Sequence, residues 1–266
     1  MIDAFDGKIA IVTGGTSGIG YAVSEALLKR GATVYVIGSR KESVEKAEAS
    51  LARYPNVRFA VVNVTRADEV QKMVDDCVAG SGRLDYLFNN AGVGATVPFE
   101  QVTLEYWKQV IDLNLWGVIY GVHAAFPVMV KQGSGHIVNT SSIAGVFPPP
   151  YQAVYCATKY AVTGMTEALR YELAYQGISF STVCPSNVAT PIFAAAGKVP
   201  DDAISAGEAA GIILAGVERK EGLIIFPEKV KQMYEQMKRD QAFMDEELFK
   251  MAEQRRKAYE TGGNYF

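Results

Sequence analysis

Seven short apolar, β-branched runs recur along the chain: "KIAIVTG", "TVYVIG", "VRFAVVNV", "LDYLFNNAG", "HIVNTSS", "ISFSTVCP" and "GLIIFP". Most are hydrophobic at successive positions, as expected of strands covered by helices on both sides of a parallel sheet. Between them, apolar residues fall at spacings of three and four. Val23, Leu27 and Leu28 form one such set, and Leu104, Trp107, Val110 and Ile111 another. Strand and helix alternate almost to the end. This rhythm predicts the α/β class: a doubly wound, seven-stranded parallel sheet with right-handed crossovers, helices on both faces, and ligands at the carboxyl ends of the strands.

The last stretch, "PEKVKQMYEQMKRDQAFMDEELFKMAEQRRKAYETGGNYF", breaks the rhythm. Val230, Met233, Tyr234 and Met237, then Phe243, Met244, Leu248 and Met251, lie at helical spacings among charged residues. A helical C-terminal extension is expected, packed on its own domain, folded over the ligand cleft as a lid, or engaged in a subunit contact. No linker, repeat or low-complexity segment divides the chain. One domain over residues 1–266 is expected, with its core at about 8–227 and the tail at about 228–266.

Composition narrows the chemistry. The chain has 266 residues, 49% hydrophobic and 21% charged, with a formal net charge of −3 and no long Lys/Arg block. Nucleic acid and anionic membrane are therefore not the expected partners. Asp3 and Asp6 stand where a secretory signal would carry positive charge, and no stretch approaches the length that spans a bilayer, so a cytoplasmic protein is expected. Cys77, Cys156 and Cys184 are too few and too scattered for a disulfide framework and read as buried thiols. His123 and His136 fall in no ligand cluster, so no metal is expected.

Three motifs carry the candidate chemistry. In "TGGTSGIG", Gly14, Gly18 and Gly20 sit between a strand and a helix expected to start near Tyr21. Lacking Cβ atoms, they let the loop turn tightly and bring backbone N–H groups to a pyrophosphate at a helix N-terminus. The spacing is not that of a P-loop, since no Lys-Ser/Thr pair follows. "NNAG", Asn89 to Gly92, ends the fourth strand with two turn-forming amides and room for a ring against the backbone. Ser142 in "NTSSIAG" precedes "YCATK", in which Tyr155 and Lys159 are i and i+4 and share a helix face. An ammonium beside a phenol favours the phenolate and suits the pair to proton transfer. Ser142 is placed to hydrogen-bond a carbonyl.

Together these motifs, with Asn114 in "DLNLWG", resemble the short-chain dehydrogenase/reductase family from about Lys8 to about Pro227, in the family's order and at its spacings. The resemblance implies a Rossmann-type fold and oxidoreduction of a small molecule with NAD(H) or NADP(H). It implies that Tyr155 is the acid/base and that Lys159 lowers its pKa and binds the nicotinamide ribose. Ser142 would position the substrate oxygen. Asn114 would kink its helix and hold a water that links Lys159 to solvent. It implies a dinucleotide site drawn from Gly14, Thr16, Ser17, Gly18, Ile19, Gly20, Ser39, Arg40, Asn63, Val64, Asn90, Ala91, Gly92, Tyr155, Lys159, Pro185, Val188 and Thr190.

Departures from the family pattern are informative. Ser186 stands where a glycine is usual, and Asn63 where an aspartate is usual; its amide oxygen can still accept from an adenine amino group. The second strand ends in Gly38 where NAD-preferring relatives hold an acid, and Ser39, Arg40 and Lys41 follow. A hydroxyl and cationic groups suit a 2′-phosphate, so NADP(H) is the expected cofactor and NAD(H) the alternative.

A serine hydrolase is disfavoured, because no G-x-S-x-G elbow surrounds Ser142. The leading expectation is an NADP(H)-dependent enzyme interconverting a carbonyl and a secondary alcohol. The alternatives are an NAD-dependent hydroxysteroid or fatty-acyl oxidoreductase and a non-catalytic dinucleotide-sensing protein. The stretches "TPIFAAAGKVPDDAISAGE" and "VFPPPYQAV" offer Phe147, Tyr151, Ile192 and Phe193 as contacts to an apolar substrate, with little charge to hold an anionic one. The resemblance also implies a homodimer or homotetramer. Trp116, Tyr120 and Phe126, with Met165 and Leu169, lie in the regions that would meet.

Overall fold

The computed structural model describes residues 3–192 and 199–261. Phe193, expected at the substrate, lies outside the described residues. The strands are β1 (Ile9–Thr13), β2 (Thr33–Gly38), β3 (Val57–Val61), β4 (Tyr86–Asn89), β5 (Gly135–Thr140), β6 (Ile178–Pro185), β7 (Val188–Ala189), β8 (Ile204–Ser205) and β9 (Leu223–Phe226). The helices are α1 (Gly18–Lys29), α2 (Lys41–Leu51), α3 (Ala67–Ser81), α4 (Leu104–Ile111), α5 (Gly117–Gln132), α6 (Ala153–Glu172), α7 (Ala206–Glu218), α8 (Glu228–Arg239) and α9 (Gln241–Glu260).

Seven strands form one sheet in the order β3-β2-β1-β4-β5-β6-β9, and every neighbouring pair is parallel. All seven apolar runs of the sequence are its strands. Short β7 and β8 pair separately. The order reverses between β1 and β4, with Ala10 facing Val34 on one side and Tyr86 on the other. That switch point opens a crevice at the carboxyl ends, where doubly wound sheets bind ligands.

Two cores explain why the strands are apolar throughout. On β1, Ala10 and Val12 point into one core with Leu27 and Leu28 of α1 and Ile213 of α7. Ile9 and Ile11 point into the other with Val74 of α3 and Met129 of α5. Alternate residues thus serve opposite faces, and both faces are dry.

Helix α1 begins at Gly18, three residues before the expected start near Tyr21, so its N-terminus lies inside the glycine loop. Helices α4 and α5 are joined by a π turn at Asp112–Trp116 and run as one helical stretch over Leu104–Gln132. By length and composition this stretch is long and apolar enough to cross a membrane, which corrects the expectation that no segment approaches that length. Its apolar character has a packing cause: α5 sits against α3, β4 and β5, and α4 against α6.

The tail folds back on its own chain. Asp240 caps α9 by accepting from the Phe243 N–H, α8 packs against β9, and α8 and α9 pair. The Tyr259 hydroxyl donates to the Thr96 carbonyl at 3.0 Å, and its ring stacks on Tyr151 with centroids 5.3 Å apart.

Candidate active site

The glycine loop leaves β1 through Gly14, whose φ of 63° lies in the left-handed region, and enters α1 through Gly18 at 54°. A side chain on Gly20 would fall on the Gly14 carbonyl oxygen and 2.5 Å from Asn90 Nδ2, so the loop closes only over a glycine. The "NNAG" turn is stitched to β1. Thr13 Oγ1 accepts from the N–H groups of Asn90 and Ala91 at 3.0 and 3.1 Å, and Asn90 Nδ2 donates to the Thr13 carbonyl at 3.1 Å. Thr13 was not among the expected site residues. Its signal was its place immediately before the glycine pair.

Asn114 lies in the π turn, fully buried. Its Oδ1 accepts from the Val93 N–H and its Nδ2 donates to the Val93 carbonyl, both at 2.9 Å. A side chain on Gly92 would stand 3.0 Å from Asn114 Oδ1 and 3.6 Å from Lys159 Nζ, so these three residues converge. Lys159 is buried on α6, donates to the Thr140 carbonyl at 3.0 Å, and lies 5.5 Å from the Tyr155 ring centroid. Ser142 follows β5, and its Oγ accepts from the Ala144 N–H at 3.1 Å.

Burial dominates the electrostatics of Tyr155 and Lys159. Burial pushes the Tyr155 phenol up to about 12, with hydrogen bonding from Ser142 pulling the other way. Burial likewise lowers Lys159 to about 8. Desolvation disfavours the charged form of each group and is the largest cause of both shifts.

At the end of β2, a Cβ on Gly38 would meet Thr16 Cγ2 at 2.7 Å and Val44 Cγ2 at 2.9 Å. Ser39 and Arg40 are exposed, and Arg40 has no ion-pair partner among the described residues. Asn63 Oδ1 accepts from the N–H and hydroxyl of Thr65 at 3.1 and 2.9 Å. Ser186 causes no backbone strain: it is not among the positive-φ residues, and its N–H donates to the Phe226 carbonyl at 3.0 Å.

A cavity of ≈ 420 Å³ opens over Ser142 and Tyr155. Ile19, Pro185, Val188 and Thr190 of the expected dinucleotide set line it, as do Ile143, Phe147, Pro149 and Ile192. Tyr151 does not line it and instead stacks on Tyr259. The tail completes the wall with Lys229, Val230 and Met233 from α8 and Met251, Gln254 and Arg255 from α9.

Residues 8–200 match the family model described as short chain dehydrogenase. The chain belongs to the short-chain dehydrogenase/reductase family. It is 38% identical over 187 residues to an uncharacterized oxidoreductase of Staphylococcus saprophyticus, covering 70% of this chain and 76% of that protein. An uncharacterized oxidoreductase of Listeria monocytogenes is 38% identical over 177 residues, covering 66% of this chain and 71% of its own. The crystal structure of a short-chain dehydrogenase/reductase from Burkholderia phymatum in complex with NAD superposes with a TM-score of 0.81 at 27% identity, covering 88% of this chain and 94% of that one. Levodione reductase gives 0.77 at 27% identity, covering 83% and 95%.

As a short-chain dehydrogenase/reductase the protein is an oxidoreductase built to bind a nicotinamide dinucleotide. The sequence did not choose among the three placements expected for the tail, and the structure packs it on its own domain with residues in the cavity wall. Residues of α8 and α9 reach the cavity only through the packing of distant segments, and no local motif announces that.

Proposed function

We propose that the protein is an NADP(H)-dependent oxidoreductase that interconverts a carbonyl and a secondary alcohol on a small molecule with an apolar body. The observation that carries this reading is that Ser142 and Tyr155 share the wall of one cavity while Lys159 Nζ lies 5.5 Å from the Tyr155 ring centroid and beside Gly92.

The residues present fit the dinucleotide. The Gly14–Gly20 loop is a cradle that side chains would fill, and it feeds the N-terminus of α1, where backbone N–H groups favour a pyrophosphate. A side chain at Gly38 would crowd Thr16 and Val44, while the exposed Arg40 offers a planar fork for a 2′-phosphate. Asn63, Val64, Asn90 and Ala91 would flank the adenosine, and Pro185, Val188 and Thr190 the nicotinamide. Held by these residues, the dinucleotide would supply hydride-transfer chemistry to or from the substrate carbon.

On this reading Ser142 donates a hydrogen bond to the substrate oxygen and holds it against the Tyr155 hydroxyl. Tyr155 gives its proton to that oxygen as the alcohol forms and takes it back in the reverse direction. Lys159 supplies positive charge beside the phenol and binds the ribose. Asn114 holds the loop after Gly92 through Val93, and its π turn offers a backbone for the water that links Lys159 to solvent. The chain acts as one catalytic unit in the cytoplasm. Its second copy would sit against the partly exposed Trp116–Tyr120 stack and Tyr160, making a homodimer or homotetramer.

The test is titration of the purified protein with NADPH and with NADH, then turnover of apolar ketones and alcohols followed at the nicotinamide absorbance. Tighter NADPH binding with turnover upholds the reading. Binding without turnover on any substrate favours a dinucleotide sensor, and failure to bind either dinucleotide overturns the reading.

A further inference from the structure

Among the described residues two positions other than glycine hold a positive φ, Tyr151 at 65° and Lys220 at 56°. For a bulky side chain this left-handed backbone is strained and persists only where its surroundings hold it. Lys220 lies in the turn between α7 and β9. Tyr151 stands immediately before Gln152, the N-cap of α6, and four residues before Tyr155. The strained turn therefore sets where the helix that bears Tyr155 begins.

That turn is held from two sides. From the loop after β4, the Val97 N–H donates to the Tyr151 carbonyl at 2.8 Å, and Thr96 Oγ1 accepts from Gln152 Nε2 at 2.7 Å. Ala95 of the same loop forms a small core with Val110 and Val154, and Tyr155 packs against it. From the tail, the Tyr259 ring stacks on Tyr151 with the planes 11° apart, and its hydroxyl donates to the Thr96 carbonyl at 3.0 Å. One side chain of α9 thus touches both loops. It does so from outside the cavity, whose lining includes Gln152 and Tyr155 but not Tyr259.

We infer that Tyr259 is a positioning residue: its ring clamps the left-handed Tyr151 turn and so fixes the first turn of α6, from which Gln152 and Tyr155 reach the cavity wall. The two are three residues apart and neighbours on the helix surface, so a shift of the turn moves both. This rests on the reading above in which Tyr155 is the acid/base. It gives the tail a part in the reaction beyond its residues in the cavity wall.

The experiment uses full-length Tyr259→Leu and Tyr259→Phe, with two readouts. The first needs no substrate: hydrogen exchange at the Val97 and Cys156 amides, which donate to the Tyr151 and Gln152 carbonyls. In Tyr259→Leu both should exchange roughly tenfold faster or more. The second is turnover with NADPH of whichever ketone in the panel above the wild type reduces fastest. Arg255 still docks α9 through the Pro150 carbonyl, so the wall stays in place. In Tyr259→Leu kcat should then fall by roughly 10- to 100-fold, with KM changed by less than about threefold. Tyr259→Phe keeps the ring and should restore most of the loss. Adding Tyr151→Gly to Tyr259→Leu should also regain kcat, because glycine takes the left-handed turn without a clamp. A merely structural tail contact would not be rescued by removing a second aromatic ring.

Unchanged exchange in Tyr259→Leu overturns the inference, as does faster exchange with wild-type kcat. A loss as large in Tyr259→Phe as in Tyr259→Leu, or no recovery with Tyr151→Gly, also overturns it. If the wild type reduces none of the ketones, the oxidoreductase reading fails and exchange decides the clamp: acceleration in Tyr259→Leu but not in Tyr259→Phe upholds it, and any other pattern overturns it.

Discussion

Asn114 accepts a hydrogen bond from the Val93 N–H and donates one to the Val93 carbonyl, both at 2.9 Å, from inside a π turn. The buried amide thereby fixes the strand-end loop immediately after Gly92. Asn114→Ala should remove both bonds and lower stability by about 1–3 kcal/mol, read from urea denaturation. Dinucleotide affinity should fall with it, since the loop that faces the ligand loses its anchor. An unchanged midpoint would mean that Val93 finds other partners.

Lys159 sets a pH dependence whose sign is fixed by its environment. Burial lowers its pKa from 10.5 to about 8, so between those values the unfolded chain binds the proton and the folded chain does not. Wild-type stability therefore gains as pH rises through that window, by up to about 3 kcal/mol. Below it the buried ammonium carries its full desolvation cost. Lys159→Met removes that cost and loses the Thr140 bond, so it should be the more stable protein at pH 7 by about 2 kcal/mol. Denaturation at a series of pH values should show this advantage closing above pH 8. A difference that stays constant with pH would refute the assignment of that titration to Lys159.

What the sequence disclosed and what it hid divide by range. The strands were legible because each apolar run is local and both sheet faces are buried. The i, i+4 relation of Tyr155 and Lys159 was legible because it lies within one helix. The Leu104–Gln132 run was missed because Asp112 and Asn114 interrupt its apolar pattern, and only the structure shows the π turn carrying the helix through them. The neighbouring ammonium of Tyr155 was visible in the sequence, but the burial that pushes the phenol up and Lys159 down was not. Arg255 was invisible for a similar reason: its bond to Pro150 spans 105 residues.

Tyr155→Phe removes a single hydroxyl from the cavity wall and keeps the ring. On the proposed mechanism turnover should fall by roughly 10²–10⁴-fold or more, since the transferred proton has lost its carrier. Dinucleotide dissociation constants should stay within about twofold, because the ring and Lys159 remain. Stopped-flow turnover and fluorescence titration separate the two effects. Turnover at the wild-type rate would remove Tyr155 from the mechanism.

Arg40 and Gly38 together make a prediction about cofactor choice. Arg40→Ala should weaken NADPH by about tenfold or more, the loss of a charge-assisted contact to phosphate, and leave NADH within about twofold. Gly38→Asp tests the other half. A carboxylate there is the usual device for NAD, but its Cβ would lie 2.7 Å from Thr16 Cγ2 and 2.9 Å from Val44 Cγ2. Thr16 is β-branched and stiff at χ1, so it does not simply turn away. Gly38→Asp alone should therefore lower NADPH affinity without a matching gain for NADH, measured by titration of both dinucleotides on each variant. A clean switch to NADH would show that the loop yields more readily than its packing implies, and an unchanged NADPH affinity in Arg40→Ala would remove Arg40 from the site.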